Sequence, residues 1–131
     1  MGNITKNDIE TMQNSWAKAV QESDADKLLS LYHHNAILKP TLSNSIRRKP
    51  DDIASYFTGA NEGDDGFLNQ GIVEVNFDES SPQIVDHLVF DSGVYRFRKS
   101  NQEVVSAHFS FVFIKDEGEL KILSQHSSLF V

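Results

Sequence analysis

Cysteine is absent from the 131-residue chain. Disulfide staples and thiolate chemistry are therefore excluded. Long apolar runs are missing too, and none approaches the ~20 residues that a membrane-spanning helix needs. The first residues, Met1 to Asp8, are polar and carry no signal-peptide core. Gly2 is followed by Lys6 at the place where a myristoylation motif wants Ser or Thr. These absences lead us to expect a cytoplasmic protein with no membrane partner. Positive charge is also in short supply: 12 Lys and Arg against 19 Asp and Glu give a net charge of −7. Nucleic-acid binding depends on Lys and Arg that neutralise phosphates, so no nucleic-acid partner is expected. The single basic cluster, Arg47-Arg48-Lys49, reads as a solvated loop ahead of a helix, with an anion contact as the alternative.

What is present is dominated by Val104 to Val131. From Val104 to Lys115 there is no Gly, Pro, Asp or Glu, and β-branched and aromatic residues prevail. Such side chains suit a pleated, half-buried surface. A second run, Glu119 to Val131, follows Asp116-Glu117-Gly118. Gly118 can take the positive φ that short hairpin turns require. One long antiparallel hairpin is expected here. At this length the chain is expected to form one domain, residues 1–131, that buries roughly two-thirds of its unfolded surface.

The N-terminal half changes period. Asn7 or Asp8 can cap a helix on which Ile9, Met12, Trp16, Ala19 and Val20 form one apolar stripe. Ser23-Asp24 breaks it, and Asp24 can cap a second helix through Leu28, Leu29, Leu31 and Tyr32, ending near His33-His34-Asn35. Ala36 to Leu38 is a short apolar run, and Thr41 to Lys49 an irregular connection. Pro50 suits the first position of a third helix that carries Ile53, Tyr56 and Phe57 and stops at Gly59. A loop spans Asn61 to Gly66. Period-two strands then follow: one around Val73, Val75 and Phe77, a turn at Asp78 to Pro82, a strand from Gln83 to Phe90, a tight turn at Asp91-Ser92-Gly93, and a strand from Val94 to Lys99. Three helices packed on one face of a mostly antiparallel sheet make an α+β architecture.

Order and spacing of these motifs resemble the nuclear transport factor two-like superfamily. More narrowly, the chain is similar to SnoaL-like proteins and to the association domain of calcium/calmodulin-dependent protein kinase two. The resemblance is carried by Trp16 ahead of Ser-Asp-Ala-Asp, then Leu-Leu-Ser-Leu-Tyr, Ile37-Leu38-Lys39-Pro40-Thr41, Ile53 with Tyr56-Phe57, Phe111-Val112-Phe113, Gly118, and His126-Ser127-Ser128. It implies a cone-shaped, cystatin-like fold with a strongly curved sheet, a pocket inside the cone, and a homodimer formed through the outer sheet face. The superfamily holds isomerases, dehydratases, cyclases and non-catalytic domains, so fold alone does not decide function. Alignment with ketosteroid isomerase puts Lys39 at the place of the base and Trp16 at that of the oxyanion-hole tyrosine. No carboxylate between Val104 and Lys115 can serve as its protonated acid. Steroid-isomerase chemistry is rejected on those three residues. Where the kinase domain has pocket arginines, Tyr95 and Phe111 stand, so an anion would meet little positive charge.

The residues that can face one hollow between helices and sheet are Trp16, Tyr32, Tyr56 and Phe57, with Tyr95, Phe97 and Phe111. Each of these rings taken singly reads more readily as core, since aromatic stripes usually are; three tyrosines and an indole facing one space would instead favour a roomy cavity, because each buried hydroxyl needs a partner. His126 is the titratable residue of interest, and its position depends on hairpin register. With a four-residue loop, Phe113 faces Leu120, Phe111 faces Ile122, and His126 joins the aromatic face; we prefer this register. With a loop of Asp116 to Gly118, His108 and His126 become neighbours. No metal or other cofactor is expected, since the adjacent His33 and His34 point apart and no ligand spacing occurs. Three functions stay open. One is a homodimer that binds a small, mostly uncharged organic molecule. Another is an isomerase, dehydratase or cyclase that uses His126 with a tyrosine. The last is an assembly module that uses an outer face of His108, Ser110, Val112 and Ile114.

Overall fold

Thr5 starts the first helix in the computed structural model, which describes residues 3–40, 45–59 and 66–130. Its hydroxyl accepts from the Asp8 N–H at 3.2 Å, and the Asp8 carboxylate accepts from the Thr5 N–H at 2.9 Å. The cap is therefore Thr5, two residues before the expected start, and Asp8 is the reciprocal partner of a capping box. The hydrogen bond from the Thr5 backbone holds the Asp8 carboxyl below the usual carboxylate range. Helix α1 runs Lys6–Gln21 and buries Ile9, Met12, Trp16, Ala19 and Val20, the five residues of the apolar stripe. Helix α2, Ala25–Ser30, is capped by Asp24, whose carboxylate accepts from the Lys27 N–H.

The second helix is shorter than its pattern suggested. Strand β1 occupies Tyr32–Lys39, so Tyr32, His33 and His34 are strand residues. Pairing decides this: β1 lies parallel to the last strand, with Leu38 opposite Gln125 and Lys39 opposite His126. The two imidazoles do not point apart; their rings stack at 4.1 Å. Strand β2 is only Arg47–Arg48. Arg47 is no solvated loop residue. It is buried, its guanidinium donating to Ser55 Oγ at 3.0 Å and standing 5.9 Å from the centre of the Tyr56 ring. Helix α3, Pro50–Thr58, begins with proline and ends at Gly59, φ 72°, as expected. Residues 41–44 of the connection expected from Thr41 and most of the loop expected from Asn61 lie outside the described residues.

Strands β3 (Ile72–Val85) and β4 (Leu88–Lys99) are longer than the sequence reading allowed. Neither Asp78 to Pro82 nor Asp91 to Gly93 is a turn. Ser80 pairs with Gly93, Ser81 with Ser92 and Pro82 with Asp91, inside one continuous ladder. Pro82 is tolerated because β3 is an edge strand, where its missing N–H deprives no neighbour of a bond. The true turn is Asp86-His87, with Asp86 at φ 53°. A bulge between Ile72 and Glu74 turns Ile72 inward and leaves Val73 exposed, against the expected alternation.

The long hairpin forms as expected, with β5 at Val104–Asp116 and β6 at Glu119–Leu129. Glu117 and Gly118, both at positive φ (51° and 85°), make the two-residue turn between them. The described strands form one curved sheet in the order β2-β1-β6-β5-β4-β3, antiparallel except for β1 against β6. Helices α1 to α3 pack on one face of it, giving the α+β arrangement.

Candidate functional site

The inner sheet face is set by one irregularity. From the turn, Asp116 faces Glu119, Lys115 faces Leu120 and Phe113 faces Ile122. Beyond this the pairing shifts: Val112 faces Ser124, Phe111 faces Gln125 and Ser110 faces His126. Leu123 is the extra residue of a β-bulge. Continued without it, the register would set His126 against Phe109, on the inner face. With it, Gln125 and Ser127 point inward and are buried, at 3% and 7% exposure, while His126 is exposed on the outer face. The expected register, and with it His126 on the aromatic face, is thus corrected.

All seven aromatic residues singled out in the sequence are buried. Trp16 lies at their centre. Its ring stacks on Tyr95, centroids 5.4 Å apart and planes 12° apart, and meets Phe111 edge-on at 6.0 Å. Phe67, from the short 3₁₀ turn Phe67–Asn69, adds an edge-to-face contact with Phe97 at 5.5 Å. Such pairs add roughly 0.5–1.5 kcal/mol each beyond their area burial, so the rings draw together. The hollow that remains is about 10 Å³, room for one water-sized molecule. That corrects the expectation of a roomy cavity. Trp16, Tyr56, Phe57, Tyr95 and Phe97 reach its wall, whereas Tyr32 and Phe111 stand one layer back. Leu38, Pro40, Phe67, Gln125 and Ser127 complete the lining.

The polar groups form a directed chain. The indole Nε1 of Trp16 donates to Tyr32 Oη at 3.2 Å. Tyr32 in turn donates its proton to Gln125 Oε1. Gln125 Nε2 then donates to Tyr95 Oη at 3.3 Å. The indole can only donate, and the Gln125 amide, with its oxygen towards Tyr32 and its nitrogen towards Tyr95, sets the direction of the other two links. Three hydroxyl-bearing residues line the cavity, Tyr56, Tyr95 and Ser127; the protons of Tyr95 and Ser127 find no acceptor among the described residues. Burial pushes the Tyr32 hydroxyl well above the ordinary tyrosine range, and it raises Tyr95 likewise. Both phenols are therefore neutral donors at physiological pH. The described lining contains no carboxylate, imidazole, lysine or arginine. Among the described residues no three His, Asp or Glu side chains are grouped to hold a metal ion.

Sequence reasoning missed Gln125, Ser127, Leu38, Pro40 and Phe67. Gln125 and Ser127 flank His126, and the same period-two pattern serves either face, so no local signal separated them.

A family model described as metal-independent carbonic anhydrase matches residues 9–129. The iota-carbonic anhydrase of a cyanobacterium, solved in complex with bicarbonate, has a TM-score of 0.90 at 21% identity, over 98% of this chain and 94% of that one. A putative calcium/calmodulin-dependent protein kinase II association domain from Xanthomonas campestris has a TM-score of 0.83 at 25% identity, over 98% and 89%. A putative ketosteroid isomerase from Shewanella frigidimarina has a TM-score of 0.72 at 14% identity, over 92% and 94%. No curated protein matches the chain in sequence. Other structural neighbours are described as NTF2-like or as having a cystatin-like fold, which is the fold expected from the sequence. With its family match running through α1, β4 and β6, the elements that build the cavity, the chain belongs to the metal-independent carbonic anhydrase family.

Proposed function

We propose that the protein interconverts carbon dioxide and bicarbonate at the cavity bounded by Trp16, Tyr95, Gln125 and Ser127, whose one-water hollow has to widen to take CO₂ with its attacking water. The observation that carries this reading is the family match over residues 9–129. Geometry supports it independently. The rings and Leu38 offer an apolar wall to an uncharged, apolar substrate. Tyr95 and Ser127 offer two O–H donors to an oxygen that gains negative charge. In hydration, water oxygen attacks the carbon, one C=O pair moves onto oxygen, and the water proton leaves to solvent. Donors already aimed at that oxygen lower the barrier without reorganising. Neutral hydroxyls would hold bicarbonate more weakly than arginines do, which favours product release.

Size argues against a larger organic ligand. The cavity is about 10 Å³, far below the 300–1,000 Å³ of ordinary small-molecule sites. A bulky guest would have to force apart the stacked Trp16 and Tyr95.

The test is stopped-flow CO₂ hydration in chelator-treated buffer, followed with a pH indicator. Activity above the buffer rate, sharply reduced in Tyr95→Phe, is expected. A wild-type rate no faster than buffer overturns the reading.

We also infer self-association through the outer sheet face. Phe90 and Phe130 are 42% and 52% exposed there, and Phe130 stacks on His108 at 4.6 Å. Sedimentation equilibrium should return twice the chain mass; a monomer at high micromolar concentration argues against it. Among the described residues, no helix is long and apolar enough to cross a membrane.

A further inference from the structure

Among the described residues Asp91 is the only carboxylate in the core, 1% exposed. It lies on β4 four residues before Tyr95, on the same face of the strand. Both of its oxygens are used. Oδ1 accepts from the Ser80 hydroxyl at 2.8 Å, and Oδ2 accepts from Gln13 Nε2 at 2.9 Å. The second amide hydrogen of Gln13 goes to Ser80 Oγ at 3.0 Å, which closes a triangle between α1, β3 and β4.

A buried charge is a costly way to hold a helix down, and apolar side chains of similar volume often do it better. What the hydrogen-bonded side chain supplies is direction, because hydrogen bonds weaken steeply when bent or stretched. Helix α1 cannot roll or slide without losing a bond to the carboxylate. Gln13 and Trp16 are three residues apart and share one side of the helix. Trp16 is stacked on Tyr95, and its N–H meets Tyr32 at 3.2 Å. The same helix and the same strand thus touch twice: once at the carboxylate, once at the rings that build the cavity.

We propose that Asp91 is a positioning residue for the cavity. Through Gln13 it sets the roll and height of α1, aims the Trp16 N–H at Tyr32, and so keeps the Tyr32–Gln125–Tyr95 chain in order. Its effect on turnover rests on the carbonic anhydrase reading; its effect on the indole does not.

Trp16 is the only tryptophan, so a single indole Nε1–H cross-peak in a ¹⁵N-correlated NMR spectrum reports it. Asp91→Leu should stay folded, yet the cross-peak should move and exchange faster with solvent. The kcat for CO₂ hydration should fall about tenfold to a hundredfold with little change in KM. Asp91→Asn should restore both, because the new amide can turn its oxygen to Gln13 Nε2 and its NH₂ group to Ser80 Oγ, which has lone pairs to accept from both. Gln13→Met breaks the same link from the helix side, and serves if Asp91→Leu does not fold. A folded Asp91→Leu or Gln13→Met protein with the cross-peak and kcat at wild-type values overturns the proposal. If the wild-type chain does not hydrate CO₂ at all, the functional reading fails while the cross-peak still decides the role of Asp91.

Discussion

Phe111 stands directly opposite Gln125 across β5 and β6. That pairing puts an amide, rather than an imidazole, against the cavity between the rings. The Gln125 side chain then joins two tyrosine hydroxyls that sit on strands far apart in sequence.

Removing one of those hydroxyls should be felt twice. In Tyr95→Phe the Gln125 Nε2 group loses its acceptor in a buried setting, which should cost about 1–3 kcal/mol in a urea titration. CO₂ hydration should fall roughly a hundredfold if the lost O–H was aimed at the developing anionic oxygen. A loss of stability with full activity would separate the two roles and remove Tyr95 from the reaction.

Alkaline pH should expose the burial of the phenols. Tyr32 and Tyr95 have folded-state values raised above the ~10 of an unfolded tyrosine. The folded state therefore keeps protons that the unfolded state gives up. The contribution of these phenols is fully present below about pH 10 and is lost as pH climbs from there towards the folded values. Thermal midpoints should fall increasingly steeply above pH 10. Absorbance at 295 nm should show both phenols ionising only as the chain unfolds. Ionisation of all three tyrosines near pH 10 in a chain with native circular dichroism would contradict this.

His126→Ala should be nearly silent. The side chain is exposed on the outer face, opposite Ser110. Stability should stay within about 0.5 kcal/mol, and the CO₂ hydration rate should match wild type. A large loss of activity would restore the imidazole to the site.

Gly93→Ala should be severe although the residue sits in a regular strand. A Cβ there would lie 2.0 Å from the Glu79 carbonyl oxygen, where β3 bulges between Phe77 and Glu79. Backbone cannot move aside as a side-chain tip can, so a cost of about 3 kcal/mol or more is expected. A denaturant midpoint equal to wild type would show that β3 is freer to move than its ladder implies.

Much of the architecture was legible because it is written in local chemistry. The α1 stripe from Ile9 to Val20, the Asp24 cap, the Pro50 start and Gly59 end of α3, and the Gly118 turn each depend on a few neighbouring residues. Asp78 to Pro82 and Asp91 to Gly93 were misread as turns because their polar and glycine content is turn-like in isolation. Pairing of Pro82 with Asp91 and of Ser80 with Gly93 outweighs that preference, and pairing is a property of two segments, not one. For the same reason Asp91 escaped notice, since nothing near it in sequence announces Gln13 as its partner.

By itself the sequence determined which side chains would leave water, and the seven aromatic residues all did. Their burial follows from hydrophobicity, which has no direction and needs no register. Only the tertiary structure decided which polar groups went in with them. Gln125, His126 and Ser127 follow one another along a strand whose faces alternate, so one additional residue at Leu123 is enough to exchange the imidazole for an amide and a hydroxyl.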